Sequence, residues 1–179
     1  MTLDKPVEYA TERLIIREPI QSDAKDIFKK YTQDPDVTKY LTWVPHKTFN
    51  ETQKWIDFCI QNATTEKCIT RVIVYKESNQ AIGMFDFQLH DFHTHFGYVL
   101  AKKYWNKGLM TEAMQQAVEY YHQLPEIYRI WAVHDIENPA SGRVMTKLGL
   151  KYEGTLKRYT IHPNLSQEPR DVCMYALTR

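Results

Sequence analysis

YVLAKKYWNKGLMTEAMQQAVEYY, residues 98–121, changes character twice within twenty-four positions. It begins as a short apolar run, passes through a Lys-rich turn holding Gly108, and continues as a helix. Leu109, Met110, Ala113, Met114, Ala117, Val118 and Tyr121 form one apolar stripe at helical period. A strand that feeds a tight turn opening a helix leaves several backbone N–H groups without partners and pointing one way. Such an end attracts anions, above all phosphates. The rest of the chain is expected to be organised around this cradle.

Upstream, residues 94–100 read as the strand running into it, after a turn at 91–93. In residues 83–90, Phe85, Phe87 and Leu89 alternate with Asp86, Gln88 and His90, the period of a strand with two unlike faces. Residues 69–75 are rich in β-branched side chains, and Ser78-Asn79 supplies a turn, so an antiparallel meander is expected. Earlier still, residues 11–18 read as a strand ended by Pro19. Ser22 is expected to cap a helix with Asp23 in its first turn and Ala24, Ile27, Phe28 and Tyr31 on one face. Asp34-Pro35-Asp36 breaks that helix, and residues 37–41 suggest a short helical piece. Asn50 and Gln53 fit a capping box before a helix carrying Trp55, Ile56, Cys59, Ile60 and Ala63 along one side.

Downstream, Leu124-Pro125 stops the central helix and residues 127–134 read as a strand. Asn138-Pro139 is a cap followed by proline at the first helical position. Ser141, Val144, Met145 and Leu148 share one face, and Gly149 ends the helix. Residues 152–156 and 172–177 read as closing strands, with a polar loop over 158–170. The predicted order is a strand, two or three helices, three strands, helix, strand, helix and two strands. That is a mixed α+β or α/β domain with one central sheet.

Bulk properties narrow the function classes. At 179 residues one domain is expected. Lys plus Arg total 23 against 22 Asp plus Glu, a net charge of +1, which gives no basic footprint for nucleic acid. Cys59, Cys68 and Cys173 lie in apolar contexts without CxxC spacing, so buried free thiols in a reducing compartment are expected. The first residues carry Asp4, Lys5 and Glu8 rather than an apolar leader, and no run reaches membrane-spanning length. A cytoplasmic location is the expectation.

Two long segments carry a resemblance: GYVLAKKYWNKGLMTEA at 97–113 and RIWAVHDIENPASGRVMTKLGLKYEG at 129–154. In that order and spacing they resemble the acetyl-CoA motifs of the GNAT acetyltransferases, specifically the branch of the RimJ and RimL ribosomal-protein N-terminal acetyltransferases. The resemblance extends from TERLIIRE at 11–18 to the last strand. It implies a mostly antiparallel sheet of seven strands splayed into a V after the fourth. The pantetheine of acetyl-CoA would lie in the V and its pyrophosphate on the turn opening the central helix. The general family turn reads Gln/Arg-x-x-Gly-x-Gly/Ala; here the positions are Trp105, Asn106, Lys107, Gly108, Leu109 and Met110, and YWNKG resembles the RimJ/RimL form. The cofactor contacts so implied are Val99, Leu100, those six residues, Thr111, Asn138 and Ser141, with Lys102, Lys103 and Lys107 as candidates to neutralise phosphate.

Acetyl transfer to an amine needs a neutral amine, a polarised carbonyl and a proton for the leaving thiolate. The resemblance places carbonyl polarisation on backbone N–H near Val99 and Leu100. The tyrosine that many relatives use as acid is replaced here by Met145, and Ser141 matches the serine of the RimJ/RimL branch. That branch often carries an acidic residue two positions before the GY of the cofactor motif; here His95 stands there and is the candidate base, with His90, Asp86 and His134 as fallbacks. His90, His93 and His95 lack the carboxylate or Cys partners of a metal site, so no metal is expected. Glu112 reads as a partner of the helix dipole. The acceptor site is expected between the first helices and the 158–170 loop, with Tyr40, Trp43, Phe49, Trp55 and Tyr159 as aromatic candidates. The predicted function is acetyl transfer from acetyl-CoA to a primary amine, first of all a protein N-terminus. The rival readings are a small-molecule amine acetyltransferase, for a polyamine, amino acid or antibiotic, and a non-catalytic acyl-CoA-binding module.

Overall fold

The computed structural model describes residues 8–62 and 68–179. Eight strands form one sheet in the order β1-β2-β3-β4-β5-β6-β8-β7. They are β1 Tyr9–Ala10, β2 Leu14–Arg17, β3 Cys68–Tyr75, β4 Gln80–Leu89, β5 His93–Leu100, β6 Arg129–Asp135, β7 Lys151–Thr160 and β8 Arg170–Thr178. The count exceeds the expected seven because two residues, Tyr9 and Ala10, pair with Ile16 and Ile15 ahead of the strand read from the sequence. Strands β2 to β5 are the antiparallel meander that their turns imply. Strand β6 then joins β5 in parallel, after the crossover through the central helix.

The helices are α1 Asp23–Ile27 running into a widened turn at Phe28–Thr32, α2 Pro35–Thr38, α3 Phe49–Asn62, α4 Leu109–Gln123 and α5 Pro139–Lys147. The widened turn carries Tyr31 and Thr32 inward side by side, both fully buried. Ser22, expected to cap α1, has helical angles and no side-chain cap bond. The first N–H groups of α1 donate to the Ile20 and Gln21 carbonyls instead, and the Asp23 carboxylate secures that turn by accepting the Ile20 N–H at 2.9 Å and a two-pronged bond from Arg17. The capping box of α3 is Thr48 with Glu51, not Asn50 with Gln53. The Glu51 N–H donates to Thr48 Oγ1 at 3.4 Å, and the Glu51 carboxylate accepts the Lys47 N–H at 2.8 Å. Both pairs have the spacing; buried Thr52, bonded to Thr32 and His46, fixes a helix already formed by that point. Ala63, expected on the apolar side of α3, lies outside the described residues.

Alternation gives the sheet two faces. Phe85, Phe87, Phe96 and Tyr98 line one, paired across β4 and β5, and α4 covers it, with Tyr121 4.6 Å from Phe87 between ring centroids. Burying such rings stabilises by about 1.5–3 kcal/mol each. Met84, Asp86, Gln88, His95, Gly97 and Val99 belong to the other face, on the side where α1 packs on β4 and α3 on β3. Cys59 is buried, whereas Cys68 and Cys173 are only half-buried; all three are free thiols. Among the described residues no helix is long and apolar enough to cross a membrane.

Candidate active site

Strand β5 pairs with β6 only at His93/Arg129, Thr94/Ile130 and His95/Trp131, although both strands continue for several residues. Past that point they part, and the β6-facing backbone groups of residues 96–100 lose their partner. This is the V-shaped opening, at the place that the motif order implies. The chain leaves β5 through a single 3-10 turn at Lys102–Tyr104 and enters α4 at Gly108. Trp105 folds back so that its indole N–H donates to the Leu100 carbonyl at 2.7 Å, tying the turn to the strand end.

Two residues of the turn have positive φ, Asn106 at 58° and Gly108 at 74°. The first bond of α4 runs from the Glu112 N–H to the Gly108 carbonyl at 3.0 Å, and no side chain caps the helix. Among the described residues the N–H groups of Leu109, Met110 and Thr111 meet no acceptor, which is the arrangement that holds phosphate oxygens. The Leu109 and Met110 side chains are buried in the core, so only their backbone faces the turn. A Cβ on Gly108 would find nothing nearer than an Arg13 nitrogen at 3.9 Å. Glu112 is spent elsewhere: it accepts from Thr11 Oγ1 at 2.5 Å, from the Arg13 N–H at 3.0 Å and from Arg13 Nε at 2.7 Å. Burial works to raise its pKa, but these bonds outweigh it and hold the carboxyl below its usual range. Of the three lysines, Lys102 pairs with Asp36, while Lys103 and Lys107 lie 5.8 and 5.7 Å from the centroid of the Tyr104 ring.

Across the opening stands α5. Asn138 caps it, its Oδ1 accepting the Ser141 N–H at 3.4 Å. Ser141 Oγ is 2.6 Å from the Tyr98 hydroxyl, which also lies 3.0 Å from the Ser141 carbonyl. Burial pushes the Tyr98 phenol well above its ordinary pKa, against the Ser141 hydrogen bond, so it stays protonated. Tyr98 is absent from the site read from the sequence; the period-2 pattern puts it on the α4 face, but only the splay reveals that it reaches α5. Helix α5 sits very close to β6 and β8. A Cβ on Gly142 would come within 2.6 Å of His134 Nε2 and 3.3 Å of the Tyr175 hydroxyl. His134, a fallback base in sequence, is thus the floor beneath α5.

The structure does not bring His95 to Ser141. His95 lies three residues before Tyr98, hence on the opposite face, within the still-paired part of the sheet. It stacks on Trp131 with centroids 4.6 Å apart and meets His90 Nε2 at 3.3 Å. Burial, then the His90 and His93 rings, hold its pKa below the usual histidine value. No group of three His, Cys, Asp or Glu among the described residues is arranged to hold a metal. Asp86 shares the face of His95 but lies nearer the opening, in register with Gly97.

On that face the expected acceptor elements do meet. Asn164 donates to the Thr38 and Trp43 carbonyls at 2.7 and 2.8 Å, clasping the β7–β8 loop to the segment after α2. Trp43 packs on His46 and Trp55, with centroids 5.3 and 6.0 Å apart. The Tyr40 hydroxyl donates to the Glu137 carbonyl at 3.0 Å. Phe49 instead packs edge-on against Phe28, and Tyr159 lies half-exposed on β7.

A sheet opened beside an N–H cradle, with a hydroxyl pair across the gap, suits an anionic, phosphate-bearing cosubstrate. The acetyltransferase (GNAT) domain model matches residues 13–151, and the chain belongs to that family. It is 31% identical over 153 residues to the uncharacterized N-acetyltransferase p20 of Bacillus licheniformis, covering 83% of this chain and 85% of that one. A crystal structure of a GNAT-family acetyltransferase from Bacillus anthracis superposes with a TM-score of 0.82 at 28% identity, covering 96% and 98% of the two chains. RimL, a ribosomal L7/L12 alpha-N-protein acetyltransferase solved with coenzyme A, shares the fold with a TM-score of 0.82 at 20% identity, over 95% and 96%. The protein is an acetyl-CoA-dependent N-acetyltransferase.

Proposed function

We propose that this enzyme acetylates the N-terminal amine of a protein, with Ser141 supplying the proton to the departing thiolate. The observation that carries the acid assignment is the 2.6 Å contact between Ser141 Oγ and the Tyr98 hydroxyl inside the opened sheet. Acetyl-CoA supplies the thioester; the residues of this chain hold and polarise it. Leu109, Met110 and Thr111 offer N–H groups to its pyrophosphate from the turn at Gly108, and Leu100 offers a backbone donor beside the gap, whereas Val99, paired with Met84, turns its N–H toward β4. Ser141 gives its hydroxyl proton, Tyr98 resupplies it, and water returns a proton to the phenol, which burial keeps protonated at rest. His95, named by the motif position, stands back from this pair and is better read as part of the ring stack with Trp131.

Support for a protein acceptor comes from the likeness to RimL over nearly the whole chain. Release of free CoA thiol from acetyl-CoA tests the reading. The assay offers short peptides with free N-termini beside polyamines, free amino acids and aminoglycosides. Acetylation of peptides at the α-amine, blocked by prior N-terminal formylation, is the expected result. Turnover confined to the small amines would sink the protein-acceptor half while leaving the acetyltransferase intact.

A further inference from the structure

We propose that Asp86 is the base that takes the proton from the attacking amine. This rests on the acetyl-transfer reading above. Asp86 stands on β4 in register with Thr70 of β3 and Gly97 of β5. A Cβ on Gly97 would lie 3.3 Å from Asp86 Oδ1, so the carboxylate leans over β5 at the one place where no side chain shuts it off. Gly97 is the second residue past the last β5–β6 pair, where the sheet has begun to open. Its neighbour Tyr98 projects to the other face and meets Ser141. Base and acid therefore flank the same opened strand from opposite sides, the base on the side of α3 and the clasped acceptor loop.

Asp86 has little to do in the fold. Its one hydrogen bond, from Gln88 Nε2, is 3.5 Å long, and among the described residues no salt bridge reaches it. The titratable groups facing it are the Cys59 thiol of α3, the Cys68 thiol of β3 and His95 two positions along β5. Burial raises its pKa against the Gln88 bond, bringing it toward the range of a useful base. A half-buried carboxylate without a cation is the kind of local cost that sequences retain at working sites. In the reaction the neutral amine forms the C–N bond as the C–S bond breaks. The amine proton passes to Asp86 and on to water, and the thiolate takes its proton from the Ser141–Tyr98 pair.

Asp86→Asn is assayed by CoA thiol release with whichever amine the wild type acetylates, alongside calorimetric CoA binding and thermal melting. A loss of at least about a hundredfold in kcat is expected, with CoA affinity unchanged and a melting temperature that does not fall. Wild-type turnover overturns the assignment. So does a lower melting temperature or failure to fold, since either marks Asp86 as a structural residue. Gly97→Ala keeps the carboxylate but sets a methyl against it, and should slow turnover by about tenfold; an unchanged rate there also counts against the proposal. If peptides are inert and a small amine reacts, the protein-acceptor reading fails and Asp86 is judged on that amine. If no amine releases CoA from wild type, the acetyl-transfer reading and Asp86 fall together.

Discussion

Ser141 and Tyr98 are coupled by one short contact, and their separate removal should read differently. Ser141→Ala deletes the hydroxyl nearest the gap and is expected to lower kcat by about ten- to a hundredfold when chemistry limits. Tyr98→Phe leaves Ser141 in place and should cost less, since water can refill the proton. Wild-type kcat in Ser141→Ala under single-turnover conditions would remove Ser141 from the mechanism. Gly142 supplies a structural counterpart. A Cβ on Gly142 would fall 2.6 Å from His134 Nε2, so Gly142→Ala must shift a helix or a buried ring. Overpacking of this kind costs about 1–3 kcal/mol, measurable by urea unfolding. At this scale the sequence marks Ser141 by its motif position, but shows Gly142 only as a small residue at a helix start. Asp86 is named there only as a fallback base behind His95, on the polar half of an alternation. What makes each of them matter is a neighbour far away in the chain.

The turn from β5 into α4 is the element on which the proposed cofactor cradle rests. Gly108 holds φ at 74°, where a side chain costs about 1–2 kcal/mol. Gly108→Ala should therefore destabilise modestly and raise KM for acetyl-CoA more than it lowers kcat, because the cradle and not the chemistry is disturbed. The clasp formed by Asn164 makes the opposite test. Asn164→Ala frees the β7–β8 loop from the Thr38 and Trp43 carbonyls; KM for the acceptor should rise while CoA binding by calorimetry stays as it was. Helix α4 is legible from the sequence almost to its ends, and β4 over its alternating part, though it begins at Gln80 rather than at Gly83. Strand β7 is not: residues 152–156 read as a strand, yet it runs from Lys151 to Thr160. As an edge strand exposed on both faces it buries too little to force alternation, so its latter half reads as loop. Capping fails for a similar reason, since Ser22 and Asn50 have the right chemistry but packing sets the helix phase.

Across the whole molecule, acid should destabilise in two stages. Burial holds His162 below its usual pKa, against the attraction of Asp135, and burial does the same for His46. A depressed folded value means that the unfolded chain binds the proton first. Their contribution is therefore complete above the unfolded histidine pKa of about 6.5 and is lost as pH falls from there. Glu112 and Asp135 are also depressed, because hydrogen bonds from Thr11, Arg13 and Arg170 overcome the effect of burial. Their contribution is present above the unfolded carboxylate values of about 4 and is lost below them. The melting temperature should fall first between about pH 7 and 5 and again below about pH 4. In His162→Gln the first fall should shrink. A melting temperature flat from pH 7 to 5 would contradict the neutral state of both histidines.

By itself the sequence determined the order of elements, the cradle at Gly108, the family and the cosubstrate. These rest on local periodicity, on a backbone angle that glycine adopts freely, and on two contiguous motifs. Only the tertiary structure decided where the sheet opens, that Tyr98 reaches Ser141, and that His95 and Asp86 share a face with only Asp86 beside the gap. Those facts depend on three ladder pairs between β5 and β6, strands separated by the whole of α4. Residues 98–121 fix their own conformation, but the site beside them is made by what packs across the opening.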